Sequence, residues 1–366
     1  MNQDAEIPAG PKPDAITESS VDGARPTRRK TQLIRQARRA GRWAWSLSCA
    51  ALWLWSLAAL WHFPAWPGWL GALAAMIWAG AGLVVFRTLA SDRIPVAMLG
   101  AFLLVRLIWG FKSPSNDRDW QELSRTLPTA AFEGRRVHIR NVRNVAWRSE
   151  TDFDLKWEDR EYDLDRIQRA DFIVVPFTFG RALAHVFVSF GFDDGEQIAL
   201  SVEIRKERNE TYSPVRGMFR HYEITYVIGD KMDLIGLRAN VLREPVHLYP
   251  IKATPEQARL MFTDMLERAN DLAAKPRFYN TLLHNCTTTV AQHANELRRD
   301  KVSLWNWRIV LPGYSDGLVQ ELDLLDYDGS LDDARKRFLI NDRAAFLPDS
   351  RMWSRQIREV AAPSAE

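Results

Sequence analysis

The sequence predicts an α+β domain that follows three transmembrane helices. Two observations carry this prediction: long apolar runs are confined to residues 43–111, and residues 112–300 show short strand-like segments followed by amphipathic helices. This order is typical of an antiparallel sheet with helices packed on it. Residues 301–366 form a C-terminal extension whose fold the sequence leaves unclear.

Three apolar runs make up the membrane-like region. Residues 43–63 and 66–86 contain no charged side chain, and each is long enough to cross a hydrocarbon core of about 30 Å as a helix. The third run, residues 94–111, is shorter and contains Arg106. We expect Arg106 to reach the headgroups beside Trp109, as an anchor more than as a functional charge.

Residues 1–42 are expected to form a disordered basic tail. The tail holds nine of the 49 Lys/Arg but only five of the 46 Asp/Glu, so the basic excess lies there. The nearly neutral remainder gives no indication of nucleic-acid binding. By the positive-inside rule, the tail and the loop with Arg87 and Arg93 are cytoplasmic. Three crossings place the residues after Lys112 outside the cytoplasm, whereas two would leave them inside.

Strand and helix signals alternate after the membrane-like region. Apolar alternation predicts a strand over residues 184–192, and the turn Asp193–Gly195 joins it to a partner over 197–206. Pro255 opens a strong amphipathic helix that runs to about Ala274. Further strands are expected at residues 136–145, 171–177, 221–228 and 246–251, with helices at 230–242 and 287–299.

The stretch HNCTTT, residues 284–289, contains Cys286, the only cysteine besides Cys49 in the first apolar run. No disulfide framework is therefore expected. Cys286 lies where an extended segment gives way to a helix, and the N-terminus of a helix favours a thiolate. The alternative is a small buried core residue, which is the commoner role of a free cysteine.

A cysteine nucleophile requires a base within hydrogen-bond reach. Of the seven histidines, His185 opens a core strand and can face a helix N-terminus laid on the sheet. His284, two residues before Cys286, is a second possible partner. For His185 a purely structural, hydrogen-bonded role is the alternative. Neither a Gly-rich phosphate loop nor zinc-type Cys/His spacing occurs in the soluble part, so no metal and no cofactor is expected.

The order of these motifs resembles a known family. A histidine at a strand start, followed far downstream by Asn-Cys at a helix start, is similar to the circularly permuted NlpC-type, papain-like cysteine enzymes, which include the lecithin–retinol acyltransferase group. More closely, AHVFVSFGF, SVEIR, LYPI and YNTLLHNCTTT resemble the N-terminal periplasmic domain of the Lnb-type lipoprotein N-acyltransferases, over about residues 116–300. In those enzymes the membrane helices follow this domain, whereas here they precede it.

The resemblance implies a fold, a location and roles for individual residues. It implies a permuted papain-like antiparallel sheet in the periplasm, anchored in a bacterial inner membrane. Cys286 would be the nucleophile, His185 the general base, and Glu203 the group that orients the imidazole; a surface glutamate is the alternative for Glu203. Oxyanion support is expected from Asn285 and the backbone N–H groups of Cys286 and Thr287. Candidates for binding substrate are Arg205, Arg238, Tyr279 and His284.

The implied reaction is acyl transfer from a membrane lipid, through a Cys286 thioester, to an amine such as the N-terminus of a lipoprotein or peptide. Two alternatives stay open. The same residues would serve a cysteine amidase or peptidase acting on cell-wall or peptide amides. A non-catalytic, membrane-anchored binding domain with Cys286 in its core belongs to a different class altogether.

Overall fold

The computed structural model describes residues 28–63, 66–178, 180–347 and 350–359, and it begins with three helices. They are α1 (Arg28–Trp61), α2 (Gly68–Thr88) and α3 (Ile94–Gly110). Residues 28–42 are thus the first part of α1, and their prediction as disordered is wrong. The physical reason is local, since this segment is rich in Arg, Gln, Lys and Ala, which are good helix formers. The rest of the predicted tail lies outside the described residues.

Two of these helices, α1 and α2, are long and apolar enough to cross a membrane, whereas α3 is an apolar helix of only 17 residues. Length and composition therefore support two spans, and not clearly the predicted three. Large apolar side chains nevertheless point outward on all three helices. Leu54, Ile77 and Leu107, one on each, are 64%, 64% and 63% exposed. Such a surface is typical of helices that face lipid.

An eight-stranded sheet forms the body of the following domain. Its strands are β1 (Thr129–Glu133), β2 (Arg136–Trp147), β3 (Phe153–Asp163), β4 (Ile167–Phe177), β5 (Gly180–Phe192), β6 (Gln197–Arg205), β7 (Glu223–Asp230) and β8 (His247–Pro250). The order is β1-β2-β7-β6-β5-β4-β8, with β3 paired to β2 outside this path. Every pair is antiparallel except β2 with β7. The predicted α+β class is confirmed.

The helices of the domain are short apart from two. They are α4 (Glu122–Arg125), α5 (Pro214–Gly217), α6 (Lys231–Gly236), α7 (Pro255–Ala274), α8 (Cys286–Glu296), α9 (Trp307–Val310), α10 (Ser315–Glu321), α11 (Leu331–Arg337) and α12 (Ser350–Gln356). The six predicted strands correspond to β2 and β4–β8. The sequence does not signal β3, because this strand is dense in charge and mostly exposed or half-buried.

One face of the sheet is covered by α7 and α8. Phe262 and Met265 of α7 are fully buried there, in a first cluster with Val186, Val188 and Phe190 of β5. Fully burying side chains of this size contributes about 1.5–3 kcal/mol each. Because side chains alternate along a strand, the even-numbered residues of β5 face these helices.

The opposite face is covered by α6 and by the last part of the C-terminal extension, from Ile340 onward. Phe187 of β5 packs there in a second cluster that contains Trp353 and Ile357, both fully buried. Asp171 of β4, also buried, accepts hydrogen bonds from Lys231 Nζ at 3.3 Å and from the Arg358 guanidinium. The described part of the extension is therefore integral to the core of the domain.

Aromatic side chains join the helical bundle to the domain. Phe219 of the domain lies between the rings of Trp55 and Trp109, with both centroid distances at 5.9 Å, and 5.6 Å from His62. Arg220, in the left-handed region at φ 48°, donates from a guanidinium nitrogen to the Trp109 carbonyl at 3.1 Å. The domain thus rests on the end of the bundle that carries the α1–α2 turn and the end of α3.

Candidate active site

Cys286 occupies the first position of α8, where a capping box fixes the entry of the chain. Asn285 is the N-cap: its Oδ1 accepts from the backbone N–H of Thr288 at 2.9 Å, and Thr288 Oγ1 accepts from the Asn285 N–H at 2.9 Å. The Asn285 Nδ2 donates to the carbonyl of Thr281 at 2.6 Å. These bonds satisfy amide groups at the helix start and hold Cys286 against the sheet.

Cys286 is buried beside Val186 of β5, with 8% of the residue's surface exposed. Burial raises the pKa of the Cys286 thiol. The backbone N–H groups of Val186 and Thr287 and the Thr287 hydroxyl, 3.8 Å from Sγ, lower it by less. The pKa shift is therefore opposite to the one expected at a helix N-terminus, and the resting group is a neutral thiol.

His185 is bonded to Ser201 and faces Glu203. Its Nε2 lies 2.8 Å from Ser201 Oγ and 3.6 Å from Glu203 Oε1, while Ser201 Oγ donates to Glu203 Oε1 at 3.1 Å. Since the only hydroxyl proton of Ser201 is given to Glu203, the serine accepts from Nε2–H. This assigns the tautomer in which Nδ1 carries the lone pair, and Nδ1 is the basic atom.

The imidazole is neutral at neutral pH. Burial, and then the charge of Arg238, lower the pKa of His185 to about 4, and the carboxylate of Glu203 opposes them. Burial acts to raise the pKa of Glu203, but the pKa is lowered overall because His185 and the arginines Arg143 and Arg238 favour the carboxylate. The structure thus brings together the predicted base and the residue predicted to orient it.

Strands β5 and β6 separate beside this pair. Their ladder ends at Phe187–Ser201, although β5 continues along β4 and β6 continues along β7. His185 and Glu203 are the residues two positions beyond the last pair, so their side chains meet on one face across the opening. Within this opening the Val186 N–H can reach the sulfur of Cys286.

Cys286 and His185 line one cavity but belong to opposite faces of the sheet. The cavity has a volume of about 440 Å³ and is lined by both Val202 and Glu203. These are consecutive residues of β6, so their side chains point to opposite faces of the sheet. The cavity therefore reaches both faces where β5 and β6 separate. The His185 ring stacks on Phe187 at 5.3 Å, on the face away from α8. Across the described ranges, no hydrogen bond joins the sulfur to the imidazole.

Two tyrosines close the cavity near the thiol. Tyr212 and Tyr279 both line it, and their side chains are hydrogen-bonded to each other. Burial raises the pKa of each phenol, and the neighbouring Cys286 raises it further. Two protonated hydroxyls therefore lie within electrostatic reach of the sulfur. Since one of them donates to the other, one proton is left that can be donated to an oxyanion.

The other predicted residues divide between the cavity and other places. Arg238 lines the cavity and pairs with Glu244 at 3.1 Å. Asn285 lines it as well, whereas Thr287 faces a neighbouring apolar cavity. The structure does not bring His284 to the site, because its side chain is exposed outside the lining residues.

Arg205 also lies away from the cavity, and its contacts give it a structural role. Its guanidinium donates to the carbonyls of Ser124 and Arg125 and to Asn116 Oδ1, and it lies 4.3 Å from the Trp120 ring centroid. These contacts bind the segment after the bundle to the sheet.

Sequence reasoning missed Ser201 and Tyr212. Ser201 stands two residues before Glu203 on β6, so the two-residue period of a strand would have placed both side chains on one face. Tyr212 lies in a loop without periodicity, and no sequence signal identifies it. Among the residues described, no group of three or more His, Cys, Asp and Glu side chains could hold a metal ion.

The fold and the site define a membrane-associated α+β protein with a buried cysteine, an imidazole and a carboxylate around one cavity. Residues 153–313 match the model of the Lnb N-terminal periplasmic domain family. The matched segment contains Cys286, His185 and Glu203, and it confirms the resemblance read from the sequence. Neither the curated proteins nor the solved structures include a match to the chain.

Proposed function

We propose that this protein is a cysteine acyltransferase of the bacterial inner membrane. It transfers an acyl group from a membrane lipid through a thioester on Cys286 to an amine. The observation that carries the proposal is the shared cavity, which has the thiol, His185, Glu203 and Tyr279 in its walls. A nucleophile, a base with an orienting group, and oxyanion donors are the parts that covalent acyl transfer requires.

The contacts of the bundle support a periplasmic orientation for the domain. Gly71 of α2 adjoins the end of α1, and Gly82 adjoins Trp53, so the two helices are antiparallel. The basic residues of α1 and the α2–α3 loop lie at one end of this hairpin, and the domain rests on the other. By the positive-inside rule the basic end is cytoplasmic. We therefore propose that α3, despite its length, makes the third crossing.

Cations without ion-pair partners surround the junction between the bundle and the domain. They are Arg106, Lys112, Arg216 and Arg220, and within the described residues none forms a salt bridge. Arg220 lies 5.8 Å from the Trp109 ring centroid and 5.6 Å from that of Phe278. Cations and aromatic rings at this level are typical of the headgroup region. The junction is thus suited to the phosphate of a lipid in the outer leaflet.

A short path connects this junction to the cavity. The segment that carries Phe219 also contains Gly217, whose carbonyl accepts from the Thr281 N–H at 3.3 Å. Thr281 lines the cavity, and the neighbouring Leu282 is 42% exposed. Val215, 44% exposed, lies on the same segment as Gly217. An apolar rim between the headgroup region and Cys286 is where an acyl chain would enter.

The proposed reaction has two steps. The Cys286 thiol gives its proton to His185 Nδ1, and the sulfur attacks an ester carbonyl of the lipid, forming a C–S bond. The C–O bond breaks, and the imidazolium returns the proton to the departing oxygen. An amine then attacks the thioester: a C–N bond forms, the C–S bond breaks, and the amine proton passes through His185 to the sulfur.

Neutral starting groups suit this scheme. With the thiol pKa raised and the imidazole pKa lowered, the resting pair is neutral, and proton transfer accompanies attack. Transfer requires that a hydrogen bond to the sulfur form, directly or through one water molecule. The Ser201–Glu203 pair then stabilises the imidazolium by accepting from Nε2–H.

Mass spectrometry of the intact protein, purified from membranes, tests the proposal. We expect a fatty acyl adduct on Cys286 that hydroxylamine removes. It should be absent from Cys286→Ala and present in Cys49→Ala, which serves as the matched control because Cys49 is buried in α1. Adding a peptide with a free N-terminal amine should discharge the adduct as an amide. Discharge only to water would indicate a hydrolase, and full activity of Cys286→Ala would refute the nucleophile.

A further inference from the structure

A second cavity, of about 180 Å³, runs along α8 on the side of the first cluster. Five α8 residues line it at the spacing i, i+3, i+4, i+7 and i+8, so they form one face of the helix: Thr287, Val290, Ala291, Ala294 and Asn295. Opposite them lie Met261 of α7, Leu318 of α10 and Leu322 directly after α10. From Thr287 to Ala294 the helix rises roughly 10 Å.

The cavity presents few unbonded polar groups. Asn295 donates to the Val302 carbonyl at 2.9 Å and accepts from the Val302 N–H at 2.8 Å. The Ser315 hydroxyl donates to the carbonyl of Pro312 at 2.6 Å. Lys252 and Arg298 also line the cavity, but Lys252 pairs with Asp323 at 2.7 Å and Arg298 donates to the Asp300 carbonyl at 3.3 Å. A predominantly apolar lining favours an apolar ligand. The lining therefore fits a ligand segment that has no hydrogen-bonding groups.

The position of the cavity relative to the nucleophile indicates which apolar segment of a ligand it would hold. Thr287 lines this cavity, and its hydroxyl lies 3.8 Å from the Cys286 sulfur, which lines the other one. The segment from Ile309 to Ser315 also separates the two, with Ile309 and Ser315 on this side and Leu311 on the other. The apolar cavity thus begins one residue from the nucleophile and extends away from it.

We propose that the cavity along α8 holds the hydrocarbon chain of the acyl group carried by Cys286. This inference rests on the proposed function and adds a binding site that limits the length of the acyl chain. The acyl carbonyl lies at the Cys286 sulfur and Tyr279. The hydrocarbon chain passes Thr287 and lies along the Val290–Ala294 face of α8. Because the depth along α8 is limited, residues at Ala291 and Ala294 determine the longest chain accepted.

Photocrosslinking tests the site without turnover. The probe is palmitate with a diazirine near its methyl end, added to full-length Cys286→Ala protein in detergent, with crosslinked residues mapped by mass spectrometry. We expect crosslinks at Met261 of α7, at Leu318 of α10 or at Leu322 directly after α10. Ala294→Phe should reduce these at least fivefold, while crosslinks to the outer faces of α1 and α2 stay as an internal reference. Ala274→Phe, at the exposed end of α7, is the matched control and should change nothing.

The outcomes separate this proposal from the proposed function. Crosslinks confined to the membrane helices, or an unchanged map in folded Ala294→Phe, would overturn the cavity assignment even if Cys286 carries an acyl adduct. Cavity crosslinks in a protein that never forms an adduct would leave the chain site in place and remove the transfer. If Ala294→Phe does not fold, the smaller Ala291→Leu takes its place. In active protein the same substitutions should shift the adduct toward shorter chains.

Discussion

The Nε2 of His185 lies 3.6 Å from Oε1 of Glu203, and Ser201 is hydrogen-bonded to both side chains. Both residues stand just beyond the point where β5 and β6 separate. The orientation of the imidazole is thus set by the strand opposite its own, while the thiol comes from a helix on the other face. Activity should respond to changes in each of these relationships.

Glu203→Gln removes the charge that favours an imidazolium and keeps the shape. We expect acyl transfer to fall by about tenfold or more, and by less than in His185→Ala, since loss of a general base typically costs about 10²–10⁴-fold. Initial rates of adduct formation measure the effect. Glu207→Gln, on a partly exposed residue outside the cavity, is the matched control. Equal rates in Glu203→Gln and wild type would exclude an orienting role.

Arg238→Gln changes the pH dependence of the reaction. Burial and the charge of Arg238 together lower the pKa of His185 to about 4, so removal of the Arg238 charge raises that pKa. The active base is neutral imidazole, and the acidic limb of the rate profile should therefore move to higher pH. In Glu203→Gln the acidic limb should move to lower pH, because the carboxylate that raises the pKa of His185 is lost. A limb that moves in neither variant would mean that another group titrates.

Asn285→Ala removes the cap of α8. We expect about 1 kcal/mol of lost stability, because the N–H of Thr288 loses its acceptor. Asn285→Asp keeps an acceptor for the Thr288 N–H and adds a favourable charge at the helix N-terminus, but it replaces the Nδ2 donor to the Thr281 carbonyl with an oxygen. It should therefore recover only part of the stability. Denaturant midpoints of the detergent-solubilised protein measure both. Unchanged midpoints together with slower acylation of Cys286 would contradict the stability prediction and show that the cap acts on catalysis alone.

Trp353→Ala tests whether the C-terminal extension belongs to the core. The indole is fully buried in the second cluster and donates to the Ala344 carbonyl at 2.9 Å. Truncation of a core Trp to Ala costs about 3–5 kcal/mol. We expect a lower thermal midpoint for the whole domain in one transition. Met352→Ala, 61% exposed, is the neighbouring control.

Phe219→Ala separates the domain from the bundle. The ring fills the space among Trp55, His62 and Trp109, and its loss should loosen the junction. We expect faster proteolysis in the polar segment after Lys112 and slower acylation from bilayer lipid. Acylation by a soluble thioester should be unchanged, because the cavity itself is intact. Equal losses with both donors would place the defect in the site instead.

The sequence by itself determined the elements with strong local signals. Apolar alternation gives β5 and β6, Pro255 at the first helical position marks the start of α7, and Asn-Cys at the start of α8 singles out Cys286. Only the tertiary structure decided that Trp353 fills the second cluster, that Arg205 is engaged by the segment before β1, and that Ser201 links His185 to Glu203. The physical reason is that local periodicity encodes which face of an element is apolar, whereas strand order and the separation of β5 from β6 depend on packing between residues far apart in the chain.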